Sequence, residues 1–136
     1  MAAGFRPDTR WKMMASASIP IIARARRYQD RIAIIDPDGV HTYRDLLKAS
    51  GRVTAKLLNG SSDLLEARVA FLTPPNFSYV AIQWGIWGAG GVAVPLATMY
   101  PQPELEHVID DSNASVLIAH PQYESLLRPI AEARRL

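Results

Sequence analysis

Residues 85–101 read GIWGAGGVAVPLATMYP, and the fold class depends on what structure this segment adopts. Four glycines fall within seven residues, two prolines follow, and no side chain is charged. A phosphate-binding loop, a membrane span and a buried turn from a helix into a strand all share this composition. The neighbouring sequence separates these three interpretations.

The phosphate interpretation rests on spacing. Gly88, Gly90 and Ala93 fit the pattern G-x-G-x-x-A, and Asp110 lies about where a ribose-binding acid is expected. That mechanism needs a strand, then glycines, then a helix whose N-terminus meets the phosphates. Here FSYVAIQWGIWGAG (77–90) predicts a helix and GVAVPL (91–96) a strand, so the order is reversed. We therefore predict that Gly90 or Gly91 ends the helix in a left-handed conformation, and that Gly85 and Gly88 let the helix approach the sheet.

The membrane interpretation rests on length. No charge occurs from Val69 to Pro103, and the uncharged run 80–99 is long enough to cross a bilayer. Gln83 and Pro95 interrupt it, and the glycine turn divides it into a helix and a strand. Because non-helical backbone is not tolerated against lipid, we predict a core helix and a core strand, with no membrane span.

The rest of the chain alternates between strand and helix patterns. We predict an α/β fold with a mostly parallel sheet and flanking helices. Thr42 and Asp45 fit a capping box at the start of the second helix, RVAFLT (68–73) and GVAVPL (91–96) resemble buried strands, and Pro129 predicts a kink or restart. The predicted strands are 31–36, 68–73, 91–95 and 115–119, residues 31–43 forming a hairpin, and the predicted helices are 19–28, 44–58, 77–89, 102–111 and 122–134.

Length and composition fit one soluble domain, 19–136, after a basic lead, 1–18, that we expect to be flexible. The absence of cysteine excludes disulfides, thiolate catalysis and cysteine-bound metals. Residues 1–29 hold six basic groups and one acid, which fits either a solvated lead in a cytoplasmic protein or, as the alternative, a mitochondrial presequence. No basic, aromatic patch continues this segment, so no nucleic-acid partner is predicted.

Candidate catalytic groups are sparse. His41, His107 and His120 have no metal-ligand spacing, and His107 with Asp110 and Asp111 is typical of a surface helix face. Neither a G-x-S-x-G sequence nor a Walker A sequence is present. The residues alone therefore indicate no catalytic, cofactor-binding or metal-binding residue.

An ordered set of short motifs nevertheless resembles the N-terminal part of the adenylate-forming enzymes, the acyl-CoA synthetase and AMP-dependent ligase superfamily. The resemblance covers about residues 19–136 and includes the helix pattern in HTYRDLLKASGRVTAKL (41–57). Residues 90–112, GGVAVPLATMYPQPELEHVIDDS, are most similar to the malonyl-CoA synthetase branch. The motifs are Arg68-Val69-Ala70, Asn76, Ala89-Gly90, Val94-Pro95-Leu96, Tyr100-Pro101, Glu104-Leu105, Asp111-Ser112 and Val116-Leu117-Ile118.

The resemblance implies the reaction of a carboxylate, malonate or methylmalonate in this branch, with ATP and CoA to give acyl-CoA, AMP and diphosphate. It also implies Mg²⁺, a Ser/Thr/Gly-rich phosphate loop ending in Pro-Lys, an Asp for the AMP ribose, and a catalytic Lys in a mobile domain. The family order places these groups after the last strand of this sequence, and no such loop occurs in it. We therefore expect an N-terminal fragment that is inactive alone, binds no cofactor and self-associates through an exposed sheet edge.

Two other functions remain open at this point. The first is a non-catalytic interaction protein derived from the same fold. The second is an unrelated α/β domain that binds a small ligand, for which nucleotide binding by this chain would be the distinguishing property.

Overall fold

The computed structural model describes residues 19–136, so the predicted flexible lead, 1–18, lies outside the described residues. Strands and helices alternate as the sequence predicts, with boundaries that differ by one or two residues. The first helix is followed by a 3₁₀ turn at Arg26–Tyr28, and another such turn, Pro121–Tyr123, precedes the last helix. The elements are α1 Pro20–Ala25, β1 Ile32–Asp36, β2 Gly39–Thr42, α2 Tyr43–Leu58, β3 Arg68–Leu72, α3 Phe77–Gly88, β4 Val92–Pro95, α4 Gln102–Asp111, β5 Val116–Ala119 and α5 Glu124–Arg134.

The predicted hairpin and helix cap are confirmed. Strands β1 and β2 pair antiparallel, with Asp36 opposite Gly39. At the start of α2, the Asp45 N–H donates to Thr42 Oγ1 at 3.2 Å, and the Thr42 N–H donates to Asp45 Oδ2 at 2.9 Å. These reciprocal bonds satisfy two amides that a helix start leaves without partners. The helix ends at Asn59, which adopts the left-handed conformation.

The parallel sheet has the order β4–β3–β5, so β3 is its centre. Residues Val69 to Leu72 are each 0% exposed, which confirms that this strand is covered on both faces. Successive side chains of β3 point to opposite faces of the sheet, so they belong to two separate parts of the core. Val69 and Phe71 pack against α3, whereas Ala70 and Leu72 pack against α4 and α5. The chain thus forms a sheet between helical layers, with α2 packed on the outer side of α3.

The structure confirms one prediction about the glycine-rich turn and contradicts another. Gly90 has φ +78°, and the Gly91 N–H donates to Ile86 O at 2.9 Å, which is a Schellman-type helix end. The expectation that Gly85 and Gly88 bring the helix close to the sheet is wrong. A Cβ on Gly85 would lie 2.5 Å from Val53 Cβ in α2. These glycines allow close contact between two helices because α3 turns its other side to the sheet.

Two further expectations are corrected. Strand β4 is not buried along its length, since Val92 is 44% exposed and Pro95 is also exposed. It pairs only with β3 among the described residues, so it forms an edge of the sheet. Of the two alternatives predicted at Pro129, a kink or a restart, the restart is wrong, because helix α5 continues through Pro129 as one element.

No helix within residues 19–136 is both long enough and apolar enough to cross a bilayer. The uncharged run is instead divided among β3, α3 and β4, as predicted.

Candidate functional site

The carboxyl ends of the parallel strands are the natural place for a ligand in this fold. The chain runs from β3 to the neighbouring β4 on one side and then crosses to β5 on the other side of β3. Such a reversal of direction opens a crevice beyond the ends of the strands, where ligands bind in open α/β sheets. The loops that follow Leu72 and Pro95 line this crevice.

The crevice is an uncharged groove of about 360 Å³. One wall comes from the loop after β3 and the start of α3, and the other from the loop after β4. Thr73 is 3% exposed, and its Oγ1 has no hydrogen-bond partner among the described residues. A buried hydroxyl without a partner costs about 1–3 kcal/mol, so it marks a position that packing alone does not explain. The lining residues are Thr73, Pro75, Tyr79, Pro95, Leu96, Ala97, Thr98 and Met99.

The start of α3 borders the groove but offers it no free amide. Asn76 caps the helix, its Oδ1 accepting from the Ser78 N–H at 3.0 Å. The Phe77 N–H donates to Asp36 Oδ2 at 2.8 Å, and the Tyr79 N–H donates to Asn76 O at 3.1 Å. The partial positive charge of this helix end is therefore already met by protein acceptors.

Asp36 is the most connected polar group that sequence reasoning missed. Its Oδ1 accepts from the Asp38 and Gly39 N–H groups at 3.0 and 3.1 Å, and His41 Nε2 lies 3.1 Å from the same oxygen. The Phe77 N–H hydrogen bond is the largest factor that lowers the Asp36 pKa below its ordinary value. Burial opposes this shift, and the bonds from His41 and the Asp38 N–H add to it. The His41 ring also stacks on Phe77, with centroids 4.2 Å apart.

This arrangement joins the hairpin to α3 and does not resemble a catalytic pair. The carboxylate is occupied by four donors, and its side chain is only 5% exposed. The two local bonds belong to the turn DPDG (36–39) of the predicted hairpin, where an aspartate at the first position commonly accepts from the backbone two and three residues on. Nothing in the sequence signalled the bond to Phe77, which lies 41 residues further along.

The other histidines and acids do not assemble a metal site. Arg134 of α5 binds Asp110 through Nε and Nη2 at 2.5 and 2.8 Å, and binds Glu106 at 3.2 Å. The hydrogen bonds from this guanidinium lower the pKa of the Asp110 carboxyl. The same ion pairs hold α4 to α5. Within residues 19–136 no group of three or more His, Asp or Glu side chains could hold a metal ion. His120 accepts the Gln122 N–H at the turn before α5.

The structure also shows where the residues of the reversed dinucleotide pattern lie. Gly88 and Gly90 lie at the C-terminal end of α3, where the partial charge of a helix is negative. Ala93 lies within β4, and Asp110 is engaged by Arg134. The glycines therefore do not form a phosphate cradle.

The family model described as "AMP-binding enzyme" matches residues 21–135. The chain is 45% identical over 117 residues to the human "Malonate--CoA ligase ACSF3, mitochondrial", which covers 83% of this chain and 20% of that protein. It is 33% identical over 116 residues to the "Malonate--CoA ligase" of Arabidopsis thaliana, covering 75% and 19%. The chain spans about a fifth of the length of these relatives.

Solved structures agree with the sequence comparison. Apo MatB from Rhodopseudomonas palustris superimposes with a TM-score of 0.68 at 26% identity, covering 83% of this chain and 23% of that one. The inhibitor-bound N-terminal domain of FACL13 from Mycobacterium tuberculosis gives the same TM-score and identity, covering 83% and 28%. The chain therefore belongs to the AMP-binding enzyme family, and it has the fold of the adenylate-forming ligases with malonate–CoA ligases among its relatives.

Proposed function

We propose that residues 19–136 form the N-terminal part of the AMP-binding domain of a malonate–CoA ligase. The supporting observation is the 45% identity to the human enzyme, which extends over 117 residues. The reaction of the full-length ligase is carboxylate, ATP and CoA to acyl-CoA, AMP and diphosphate, with malonate or methylmalonate as the carboxylate. In that reaction this segment supplies the sheet and its covering helices.

We assign ATP, Mg²⁺ and CoA to the full-length ligase, and no cofactor to residues 1–136. Attack of a carboxylate on the α-phosphate of ATP needs preorganised donors and a metal for the charge that develops. The groove at the end of β3 has no charged side chain, and the amides beside it are occupied. The sequence contains no Ser/Thr/Gly-rich loop ending in Pro-Lys.

A chimera tests this assignment. Residues 19–136 replace the matching segment of the human ligase, and malonate-dependent formation of malonyl-CoA is measured. We expect an active chimera, because the segment then meets the groups that carry the chemistry. The same chimera with Gly85→Ala is the control for correct packing and should lose activity. A soluble, folded chimera without activity would count against the assignment.

The open sheet edges favour a second function, that of a non-catalytic interaction protein. Among the described residues, β4 and β5 each pair only with β3, and Val92 of β4 is exposed. Unpaired edges and exposed apolar side chains promote association between chains. Light scattering should therefore detect oligomers of the purified chain. A monomer at all concentrations would argue against this function.

For localisation we favour the mitochondrion over the cytoplasm. The human relative is named a mitochondrial enzyme. Arg6, Arg10 and Lys12 lie within residues 1–18, before the described residues, whereas Arg24, Arg26 and Arg27 belong to α1 and the turn that follows it. Residues 1–18 fused to a fluorescent protein should direct it to mitochondria, and replacing Arg6, Arg10 and Lys12 by Gln should abolish this. Diffuse fluorescence of the unaltered fusion would support the cytoplasmic expectation instead.

A further inference from the structure

A basic surface lies between the 3₁₀ turn after α1 and the first turn of α2. It is a depression of about 510 Å³ lined by residues 26–31 and Arg44. We call it the arginine depression. It shares no lining residue with the groove at the end of β3, and the ligase function proposed above does not use it.

The backbone beneath the arginine depression is fixed by hydrogen bonds. The Arg31 N–H donates to Tyr28 O at 2.9 Å, which closes the turn. The Tyr43 and Arg44 N–H groups at the start of α2 donate to Arg31 O and Gln29 O at 3.0 and 2.9 Å. The buried Ala25 anchors the preceding helix in the core. The guanidinium groups therefore project from a rigid base.

The charge of the depression is strongly positive. Four arginines line it against one acid, Asp30. Asp30 pairs with Arg44 at 2.7 Å, but both side chains are largely exposed, at 87% and 58%, so the pair is weak and open to competition. Arg31 lies over the Tyr28 ring at 4.8 Å, which orients its guanidinium.

The fold itself makes little use of this charge. Arg26 and Arg27 are exposed, and neither has an ion-pair partner among residues 19–136. By contrast, Arg134 at the end of α5 binds two carboxylates and joins two helices. Arg26 and Arg27 are therefore available to an external anion, and Arg44 is available once that anion competes with the exposed Asp30.

We propose that the arginine depression binds a ligand that carries two or more phosphate groups. Guanidinium groups present a planar pair of donors that matches phosphate oxygens, and several of them neutralise several charges at once. A single carboxylate such as Asp30 meets only one of them. The phosphates come either from a soluble diphosphate ester or from the head groups of anionic lipids.

Titrations of the ¹⁵N-labelled chain followed by NMR test the proposal at about 150 mM salt, where weak surface attraction is screened. The probes are inorganic diphosphate, malonate, and vesicles of phosphatidylcholine with or without phosphatidylglycerol. Diphosphate should shift the amides of residues 26–31 and 44, and malonate should not. Binding to anionic vesicles without any response to diphosphate would assign the phosphates to lipid head groups.

Two variants that lose the same number of charges test whether binding depends on where the arginines lie. Arg26→Gln/Arg27→Gln/Arg44→Gln should weaken binding by about tenfold or more. Arg52→Gln/Arg128→Gln/Arg135→Gln removes the same charge from exposed positions elsewhere and should leave binding unchanged. All six positions are exposed, so thermal unfolding checks that both variants fold. Equal weakening in the two variants, equal binding of malonate, or no binding of any phosphate probe would overturn the proposal.

Discussion

The segment from Val69 to Pro103 carries no charged side chain, whereas the hairpin end of the protein carries six within residues 30–45. In the first region β3 and α3 are stabilised by burial and by the close fit of α3 on α2. In the second region hydrogen bonds that Asp36 and Thr42 accept from backbone N–H groups hold the hairpin and the helix start. Close packing therefore stabilises the centre and hydrogen bonds stabilise the hairpin end, so the two regions should respond differently to mutation and pH.

Truncation of the central strand should give the largest loss. Phe71 is fully buried between α3 and the neighbouring strands, so Phe71→Ala should lower the free energy of unfolding by about 3–5 kcal/mol. Ile35→Ala, on the exposed side of the hairpin, should change it by less than about 0.5 kcal/mol. Denaturant unfolding followed by circular dichroism measures both. Similar losses in the two variants would remove the distinction between the regions.

The contact between α2 and α3 should come next. Gly85→Ala places a methyl group 2.5 Å from Val53 Cβ and 2.9 Å from the Ser50 carbonyl oxygen, so we expect a loss of about 1–3 kcal/mol. Gly51 of α2 has no atom within 4 Å of an added Cβ. Gly51→Ala should therefore stabilise the protein by about 0.5–1 kcal/mol through helix propensity. A neutral Gly85→Ala, measured in the same way, would mean that the helices adjust freely.

At the hairpin end, Asp36→Asn should lower the melting temperature at neutral pH because the amide cannot satisfy four donors. Since the Phe77 N–H lowers the Asp36 pKa in the folded protein, its stabilising contribution is complete above the ordinary aspartate pKa of about 4. The contribution is lost as the pH falls through the lower folded value. The melting temperatures of wild type and variant should therefore begin to approach each other below about pH 4 and become equal only below the folded pKa of Asp36.

Asp38→Asn is the control for this comparison, because the Asp38 backbone donates to Asp36 while its side chain is exposed. It should leave the melting temperature near that of the wild type. A difference between wild type and Asp36→Asn that stays constant down to pH 2 would contradict the assigned role of the carboxylate.

The smallest effect is expected at the cap of α2. Thr42→Ala removes the acceptor of the Asp45 N–H and should cost about 1 kcal/mol. Thr42→Ser keeps the hydroxyl and should recover most of that loss. If Ala and Ser behave alike in denaturant unfolding, the capping box contributes nothing measurable.

The elements followed from the sequence because their signals are local. The apolar run 68–73, the Thr42–Asp45 spacing and the glycine helix end each predict structure from neighbouring residues. Contacts between distant residues left no such signal. The partner of Gly85 is a helix and not the sheet, and the Phe77 bond to Asp36 spans 41 residues.

The exposure of β4 also depends on its place in the sheet, which its apolar sequence does not reveal. The candidate site could not be predicted from the sequence for the same reason. In the sequence Thr73 is a single hydroxyl-bearing residue that directly follows a buried strand. Only the crossing from β4 to β5 places it in a crevice.

We propose that this chain, which has the fold of an adenylate-forming ligase, lacks the groups that perform the chemistry of that family. Malonate-dependent exchange of diphosphate into ATP by purified residues 1–136 tests it most directly, with the full-length human ligase as the positive control. We predict exchange at the background rate, because the groove at the end of β3 is uncharged and the sequence has no phosphate loop. Exchange at about 1 per second or faster, abolished by omitting malonate, would contradict the claim.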